Sequence, residues 1–481
     1  MKKINYRYLL PLILSLSGLL TEPLMASGTT NQLVIKYKES RPVRTAQAVQ
    51  VDKVVASGGR VSFSHTLSDN KAVYRLPREM SLAEAQHLAD QIAADPQVLY
   101  AHPDKRVYPA FVPNDPDYLA QWNLYEGEDG HIDLTGNFIQ TFGINAQEAW
   151  DITRGSSDVV VAVLDSGMLL HSDINAARVL PGYDFVRNQS SFLYDAENDN
   201  LPGRDADPSD PGTAVAADEC GVGEPSETSS WHGLLVSSII MAEPDNSNFM
   251  SGIDHFARLL PMRVLGKCGG FNSDINEAMR WAVGISIPGV PDNLHPAQVI
   301  NLSFSGSGAC SRGEQEAINA AVQKGAVVVV AAGNGSGNAN DTSPANCDNV
   351  ISVAASRRDG GRTTYTNTGF VIDLSAPGGD GAGNLVALSN NGLDAPVQDS
   401  FASIRGTSFS TAQVSAVVSL LLAVNPDLTP AQIETVLVST AREFPTTAPV
   451  VCDVGMQPPC TEAIANPCTE NTCGAGVINV R

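Results

Sequence analysis

Short, uninterrupted runs of Val, Ile, Leu and Ala recur along the chain after residue 150, and segments with helical spacing separate them. Such runs are typical of strands covered on both faces, as in a parallel sheet. The predicted strands are the runs VVVAVL, LLPMRVL, QVINLSF, AVVVVAA and NVISVAA. The predicted helices are Asp274–Val283, Ser311–Lys324, Ser408–Val424 and Thr429–Arg442. This alternation predicts an α/β fold with a mostly parallel sheet flanked by helices, whose site forms at the carboxyl ends of the strands.

The first 110 residues follow a different pattern. A basic start, an apolar stretch from Leu9 to Leu20 and the small residue Ala26 predict a signal peptide over 1–26, with a signal anchor as the alternative. LVIKY, AVYRL and VLYAHP are strand-like, and positions 82–94 have helical spacing. We therefore predict a small α+β, ferredoxin-like domain over 27–110. The Pro- and Asp-rich stretch YPAFVPNDPDY then leads into the α/β domain over 111–481.

Composition and charge narrow the class of protein. The chain has 481 residues, 43% of them hydrophobic, which is typical of a globular protein with more than one domain. Its net charge is −22, although residues 1–110 carry 14 Lys and Arg against 9 Asp and Glu. The acidic remainder argues against a nucleic-acid partner and is compatible with calcium. Apart from the N-terminal segment, no stretch is predicted to span a membrane.

Cysteine usage agrees with export. An even number of cysteines behind a signal peptide predicts disulfides in an oxidising compartment, so the protein is expected to be secreted, whether to the periplasm, the cell surface or the medium. A zinc site is the alternative, but the chain has no C-x-x-C pair. The eight cysteines are Cys220, Cys268, Cys310, Cys347, Cys452, Cys460, Cys468 and Cys473.

Four polar residues stand at the ends of predicted elements. Asp165 follows a strand in VLDSG, and Asn334 follows another in AAGNG. His232 opens the apolar run HGLLVSSII, and Ser408 begins a predicted buried helix in GTSFS. Taken singly, they could be a turn aspartate, a turn asparagine, a packed histidine and a helix cap.

Their order along the chain favours catalysis. Asp, His and Ser occur in the order found in subtilisin, which differs from the orders in chymotrypsin and in α/β-hydrolases. The histidine would activate the serine, the aspartate would orient the histidine, and Asn334 would donate to the oxyanion. A lipase or esterase is disfavoured, because Ser408 lies in GTSFS rather than in G-x-S-x-G.

The motifs DSG, HG, AAGN and GTS, in this order, resemble those of the subtilisin-like serine proteases, the subtilase or S8 family, over residues 112–481. The resemblance implies a secreted, monomeric endopeptidase that binds extended protein substrates and uses Asp165, His232 and Ser408 as its triad. Asn334 and the Ser408 backbone N–H would form the oxyanion hole. Residues 30–109 resemble the family's inhibitory propeptide, which implies a zymogen cleaved near Tyr108–Asn114. No cofactor for catalysis is implied.

The resemblance also implies substrate-binding residues and disulfides. VINLSFSG resembles the family's substrate-binding strand and loop, and CGGF resembles the edge that pairs with a substrate backbone. A secreted bacterial branch with cysteines implies the pairs Cys220–Cys268 and Cys310–Cys347. The other four cysteines allow three connectivities, of which we favour Cys452–Cys460 with Cys468–Cys473. The implied substrate-binding residues are Gly269, Gly270, Phe271, Ser303, Phe304, Ser305 and Gly306.

The chain departs from the family pattern beside the histidine. HGLL stands in place of the usual HGTH, so Leu234 and Leu235 are expected to pack the helix tightly and to dry the site, which would lower the pKa of His232. Ser305 is expected to narrow the wall of the specificity pocket. The alternative function is a secreted binding protein that keeps the fold but is catalytically impaired.

A structural calcium site is predicted from the acidic stretches. DAENDNLPGRDADPSDPG offers closely spaced hard oxygen donors with Gly and Pro turns, although it is not an EF-hand. Asp115 and Asp117 add two carboxylates near the start of the larger domain. A solvated acidic loop is the alternative. The predicted calcium ligands are Asp199, Asp205, Asp207 and Asp210.

Overall fold

The computed structural model divides the chain into two compact units, Met1–Pro109 and Ala110–Arg481. The structure describes residues 29–38, 61–104, 111–125, 131–132, 138–139, 141–187, 203–445, 447–449, 461–463 and 468–480. The predicted signal peptide, Asp199, Cys452 and Cys460 lie outside these residues. The assignment of 1–26 as a signal peptide and of 27–110 as a propeptide stays a prediction.

The first unit is a four-stranded antiparallel sheet with one helix among its described residues. The elements are β1 (Thr29–Tyr37), β2 (Ser62–Thr66), β3 (Lys71–Ser81), α1 (Leu82–Ala93) and β4 (Val98–Pro103). The strands lie in the order β2-β3-β1-β4. Ser81 and Glu84 form a capping box that fixes the start of α1. Strand β2 was not predicted, because SFSHT has a single apolar residue.

The second unit contains the remaining elements. Its strands are β5 (His131–Ile132), β6 (Phe138–Ile139), β7 (Val160–Asp165), β8 (Tyr183–Asp184), β9 (Arg258–Arg263), β10 (Val299–Leu302), β11 (Gly306–Ser307), β12 (Val327–Ala331), β13 (Thr342–Ser343), β14 (Ile351–Ser356), β15 (Leu374–Pro377), β16 (Leu385–Asn390), β17 (Asp399–Ile404), β18 (Thr447–Pro449) and β19 (Thr461–Ala463). Its helices are α2 (Ala146–Trp150), α3 (His232–Met241), α4 (Asn272–Ala282), α5 (Arg312–Gln323), α6 (Thr407–Val424), α7 (Pro430–Thr440) and α8 (Glu470–Cys473).

Seven parallel strands form the central sheet in the order β15-β14-β12-β10-β7-β9-β8. Alternate residues of β7 serve two cores. Val161 and Val163 join the apolar side chains of α3, α6 and α7, whereas Ala162 and Leu164 join those of α4 and α5. Helices therefore cover both faces, and the predicted α/β class is confirmed. The short strands β8 and β15 were not predicted.

Helix α6 is the one helix of the described residues that is long and apolar enough to cross a bilayer. Of the 18 residues of this helix, 83% are buried within the protein, so the helix is a core element. Its position beneath the sheet brings its first turn, with Ser408, to the carboxyl ends of the strands.

Candidate active site

Asp165 and His232 meet at the carboxyl end of β7. Asp165 is the last residue of the strand and is fully buried, and His232 is the first residue of α3. The His232 Nδ1 atom lies 2.8 Å from Asp165 Oδ1, so the ring nitrogen donates to the carboxylate. The His232 side chain is 24% exposed. One edge of the imidazole is therefore held by the protein while another part of the ring reaches the surface.

The electrostatic setting of His232 differs from the prediction. Burial lowers the pKa of His232, but the charge of Asp165, the hydrogen bond to it and the charge of Asp210 outweigh the burial. The pKa of His232 consequently lies above its ordinary value. The expectation that a drier site would lower this pKa is wrong, because the negative charges of Asp165 and Asp210 outweigh the effect of burial.

Ser408 lies in the first turn of α6. Gly406 precedes the helix with a φ of 153°, a conformation that glycine adopts far more readily than other residues. Ser408 is buried, and its Oγ donates to the Ser303 carbonyl oxygen at 2.8 Å. The serine is thus at the predicted strand edge, and its hydroxyl must turn away from Ser303 before it can donate to His232.

Asn334 follows β12 and lies beside the same turn. Its Oδ1 accepts from the Thr407 backbone N–H at 2.9 Å and from the Thr407 hydroxyl at 3.0 Å. These two donors identify Oδ1 and fix the plane of the amide. The amide nitrogen then points away from Thr407 and is available to donate to a bound oxyanion.

A buried polar chain beneath Ser408 was not identified from the sequence. The Ser303 hydroxyl donates to the Ser408 carbonyl at 2.8 Å and accepts from the Asn301 side-chain amide at 2.8 Å. Asn301 Oδ1 in turn accepts from the Ser415 hydroxyl at 2.9 Å. All four residues are buried. Asn301 within the apolar run VINL was the available signal, since a buried amide needs partners.

The implied substrate-binding segments border one cavity. His232, Ser166, Gly269, Ser303 and Phe304 all line it. Both segments therefore border the same cavity as the histidine, where an extended substrate could contact them.

The rest of these two segments is ordered by backbone contacts. Gly270 passes close to the Val264 carbonyl, and Phe271 directly precedes α4. Gly306 pairs with Ser343 in the β11–β13 ladder. The Ser305 hydroxyl lies against Gly333, next to Asn334. That Ser305 narrows the wall of the specificity pocket stays a prediction.

Leu234 and Leu235 are buried core residues. They belong to the apolar cluster that α3 and α6 share, at 1% and 7% exposure. The two residues that depart from the family pattern therefore pack in the core beneath α3. It removes none of the four polar groups described above.

The predicted calcium loop is not a shared carboxylate site in the described residues. Asp205 Oδ1 accepts from the Asp207 N–H, and Asp207 Oδ1 accepts from the Ser209 N–H, so both serve as turn formers. Asp210 is buried and accepts from the Ser166 hydroxyl and the Gly212 N–H. These three carboxylates do not converge within ligand distance of one another. Asp199 is not described, so the predicted ligand set stays a prediction.

A different pair of carboxylates does come together. Asp115 is 4% exposed and accepts from the backbone N–H groups of Asp245 and Asn246. Asp173 is fully buried and accepts from Asn246 Nδ2 and the Met250 N–H. Burial, reinforced by neighbouring charges that include Asp115, raises the pKa of Asp173 to about 7. Neither carboxylate forms an ion pair with a Lys, Arg or His of the described residues.

Three of the predicted disulfides are present. The structure joins Cys220 to Cys268, Cys310 to Cys347 and Cys468 to Cys473. These pairings are confirmed, while Cys452–Cys460 lies outside the described residues. The first pair ties the segment before His232 to the edge of the cavity at Gly269.

Comparison with known proteins agrees with the fold. The model of the subtilase family matches residues 156–476. An extracellular protease of Xanthomonas campestris is 41% identical over 444 residues, which are 90% of this chain and 72% of the relative. An extracellular basic protease of Dichelobacter nodosus is 35% identical over 86% of this chain and 67% of its own. The solved structure of a Pseudoalteromonas arctica protease, 40% identical, superposes with a TM-score of 0.66 and covers 77% of this chain and 98% of its own.

Proposed function

The chain belongs to the subtilase family, and from this premise we propose that Asp165, His232 and Ser408 are the catalytic triad of a secreted serine endopeptidase. The observation that carries the proposal is the 2.8 Å contact between Asp165 Oδ1 and His232 Nδ1, beside the helix turn that presents Ser408. Hydrolysis of casein that a serine-directed inhibitor blocks is the expected result. An absence of hydrolysis by the folded, processed protein would contradict it.

The mechanism follows from these positions. Ser408 Oγ leaves the Ser303 carbonyl and donates to His232 Nε2, which takes the proton as the oxygen attacks the substrate carbonyl. Asp165 keeps Nδ1 protonated and stabilises the imidazolium that forms. The imidazolium then gives its proton to the leaving amine, and an acyl enzyme remains on Ser408. Water, activated by the same histidine, releases the acid and restores the serine.

The oxyanion that forms in each step needs donors. Asn334 Nδ2 and the Ser408 backbone N–H are the proposed pair. The two hydrogen bonds from Thr407 to Asn334 Oδ1 support this role, because they orient the amide before the substrate arrives. An amide that is already oriented stabilises the transition state without reorganising.

The alternative of an impaired binding protein gains no support from HGLL. Leu234 and Leu235 are core residues, and the contact between His232 and Asp165 is intact. The four residues that the proposal assigns to the reaction, Asp165, His232, Ser408 and Asn334, all keep their polar side chains.

The pH dependence of kcat/KM follows from the raised pKa of His232. The base must be neutral, so activity is lost as pH falls through the pKa of the imidazole. Since Asp165 and Asp210 hold this pKa above the ordinary value, we expect an acidic limb with a midpoint above about 6.5. Initial rates on a chromogenic peptide between pH 5 and pH 10 measure it. A midpoint well below 6.5 would contradict the described charges.

We further propose that the chain is made as a zymogen whose residues 27–110 inhibit the enzyme. The family relation and the separate compact unit support this proposal. The cut should fall on the N-terminal side of Asn114, since Asn114 and Asp115 bind the loop at 245–247 and anchor the start of the mature domain. N-terminal sequencing of the mature protein locates the cut.

A structural calcium ion is proposed at Asp115 and Asp173 instead of at the acidic loop. Two buried carboxylates without a described cationic partner favour a divalent cation, and each oxygen has a lone pair beyond its present hydrogen bond. The cation would tie the start of the mature domain to the segment after α3. It would take no part in the reaction.

Chelation of calcium is expected to lower the melting temperature by several degrees. A ligand at 100 times its Kd stabilises the folded state by about 2.7 kcal/mol, and removing it forfeits that stabilisation. Differential scanning calorimetry on the inhibitor-blocked enzyme, with calcium and with chelator, measures the shift. Asp173→Asn should abolish the response, whereas Asp207→Asn should retain it. An unchanged melting temperature in the wild type would contradict the site.

A further inference from the structure

We propose that Asp210 is a positioning residue. It acts through Ser166 to keep the Asp165 carboxylate and the His232 ring in their hydrogen-bonded arrangement. Asp210 lies 44 residues beyond Ser166 in the sequence, in the acidic loop that resembles a metal site. Its carboxylate is instead directed at the residue that follows the catalytic aspartate. The inference rests on the proposed triad and adds a residue to it.

Ser166 connects three parts of the site. Its backbone N–H donates to Asp165 Oδ1 at 2.7 Å, the same oxygen that accepts from His232. Its hydroxyl accepts from the Gly233 N–H at 3.0 Å, next to His232 at the start of α3. That hydroxyl donates its own proton to Asp210 Oδ2 at 2.7 Å. One side chain thereby sets the spacing between the end of β7 and the start of α3.

Asp210 is suited to fix this hydroxyl. It is 1% exposed, and its other oxygen accepts from the Gly212 N–H at 2.9 Å. The Met168 carbonyl accepts from the Asp210 N–H, and the Pro208 carbonyl accepts from the Met168 N–H. Backbone hydrogen bonds therefore hold the loop at 208–210 against the segment that follows Asp165. A carboxylate can only accept, so it obliges the Ser166 hydroxyl to donate to it and to accept from Gly233.

The orientation of Asp165 depends on this arrangement. Asp165 Oδ2 is buried and has no hydrogen-bond partner among the described residues. Only Oδ1 is anchored, by Ser166 and by His232. A shift of the Ser166 backbone would rotate the carboxylate, because the second oxygen offers no restraint.

Asp210 also adds negative charge close to the imidazole. The charges that act on His232 are those of Asp165 and Asp210. Asp210 itself is influenced by Arg263, which forms a buried ion pair with Asp184. Burial raises the pKa of Asp210 to about 6, so the carboxylate is ionised at pH 8. Its charge then stabilises the imidazolium that forms when Ser408 attacks.

The test compares Asp210→Asn with Asp207→Asn, a matched change in the same loop. At pH 8 we expect Asp210→Asn to lower kcat by about 10-fold to 100-fold with little change in KM, since a hydrogen bond to a charged group and a nearby charge are both altered. The acidic limb of kcat/KM should move to lower pH. Asp207→Asn should leave both unchanged. A purely structural role would lower the melting temperature without moving the limb.

A second pair of variants covers the case in which Asp210→Asn does not fold. Ser166→Ala removes the hydroxyl and should lower kcat, while Ser166→Thr keeps a hydroxyl and should restore most of it. Rates are expressed per site labelled by a serine-directed probe. Wild-type kcat and an unmoved limb in Asp210→Asn, or in Ser166→Ala, would overturn the inference. Loss of wild-type labelling at Ser408 would instead overturn the proposed triad.

Discussion

Ser408→Ala is expected to lower kcat on casein or a peptide substrate by about 10⁶-fold, the loss measured when the nucleophile of a subtilisin is removed. The hydroxyl is the group that forms the acyl enzyme, and none of the residues around it can replace that bond. Ser408 is buried and donates to Ser303, so alanine leaves a small gap without an unpaired donor. The variant should therefore fold.

The same substitution reports on processing. Expressed alone, the Ser408→Ala precursor should persist at full length, because the enzyme would remove its own propeptide. Ser403→Ala, an exposed serine on β17, is the matched control and should be processed and active. Full-length Ser403→Ala protein, or shortened Ser408→Ala protein, would contradict self-processing.

Asn334→Ala is expected to lower kcat by about 10²-fold to 10³-fold with a small change in KM, as found for the oxyanion asparagine of a subtilisin. The Asn334 amide would bind the substrate oxygen only when that oxygen carries a negative charge. Removing the amide therefore destabilises the transition state more than the bound substrate. Asn334 is exposed, and its described side-chain hydrogen bonds are with Thr407 alone. The melting temperature should change little.

The alternative role for Asn334 is to hold Thr407 at the start of α6. Steady-state kinetics of Asn334→Ala and Asn334→Asp separate the two roles. Aspartate keeps the acceptor for Thr407 but has no N–H to donate, so it should be as impaired as alanine. If Asn334→Asp retained wild-type kcat, the oxyanion role would be wrong.

The sheet and the site edge could be predicted from the sequence for a local physical reason. Continuous apolar runs end at Asp165, Leu302 and Ala331, and parallel strands bring their ends to one edge. The order of Asp165, His232 and Ser408 along the chain then favoured the subtilisin type of serine hydrolysis over the other types. The short strand β15 gave no comparable signal, because LSAP has too few residues for a period to be recognised.

Contacts between distant segments could not be predicted. The acidic loop has the composition of a calcium site, yet Asp210 is buried and accepts a hydrogen bond from the Ser166 hydroxyl. Asp173 does not lie in a recognisable sequence motif. Only the folded chain brings it close to Asp115 and Asn246. The pKa of His232 likewise depends on Asp210, which no local pattern places near the ring.

Covalent labelling by a fluorophosphonate probe tests the central claim most directly. The processed protein, treated at pH 8 and digested, should carry close to one probe per molecule on the peptide that contains Ser408, and His232→Ala should lose the label. Such a result means that His232 activates Ser408 despite its leucine neighbours. A folded, processed protein that takes up no probe, or takes it up equally without His232, would contradict the proposed triad.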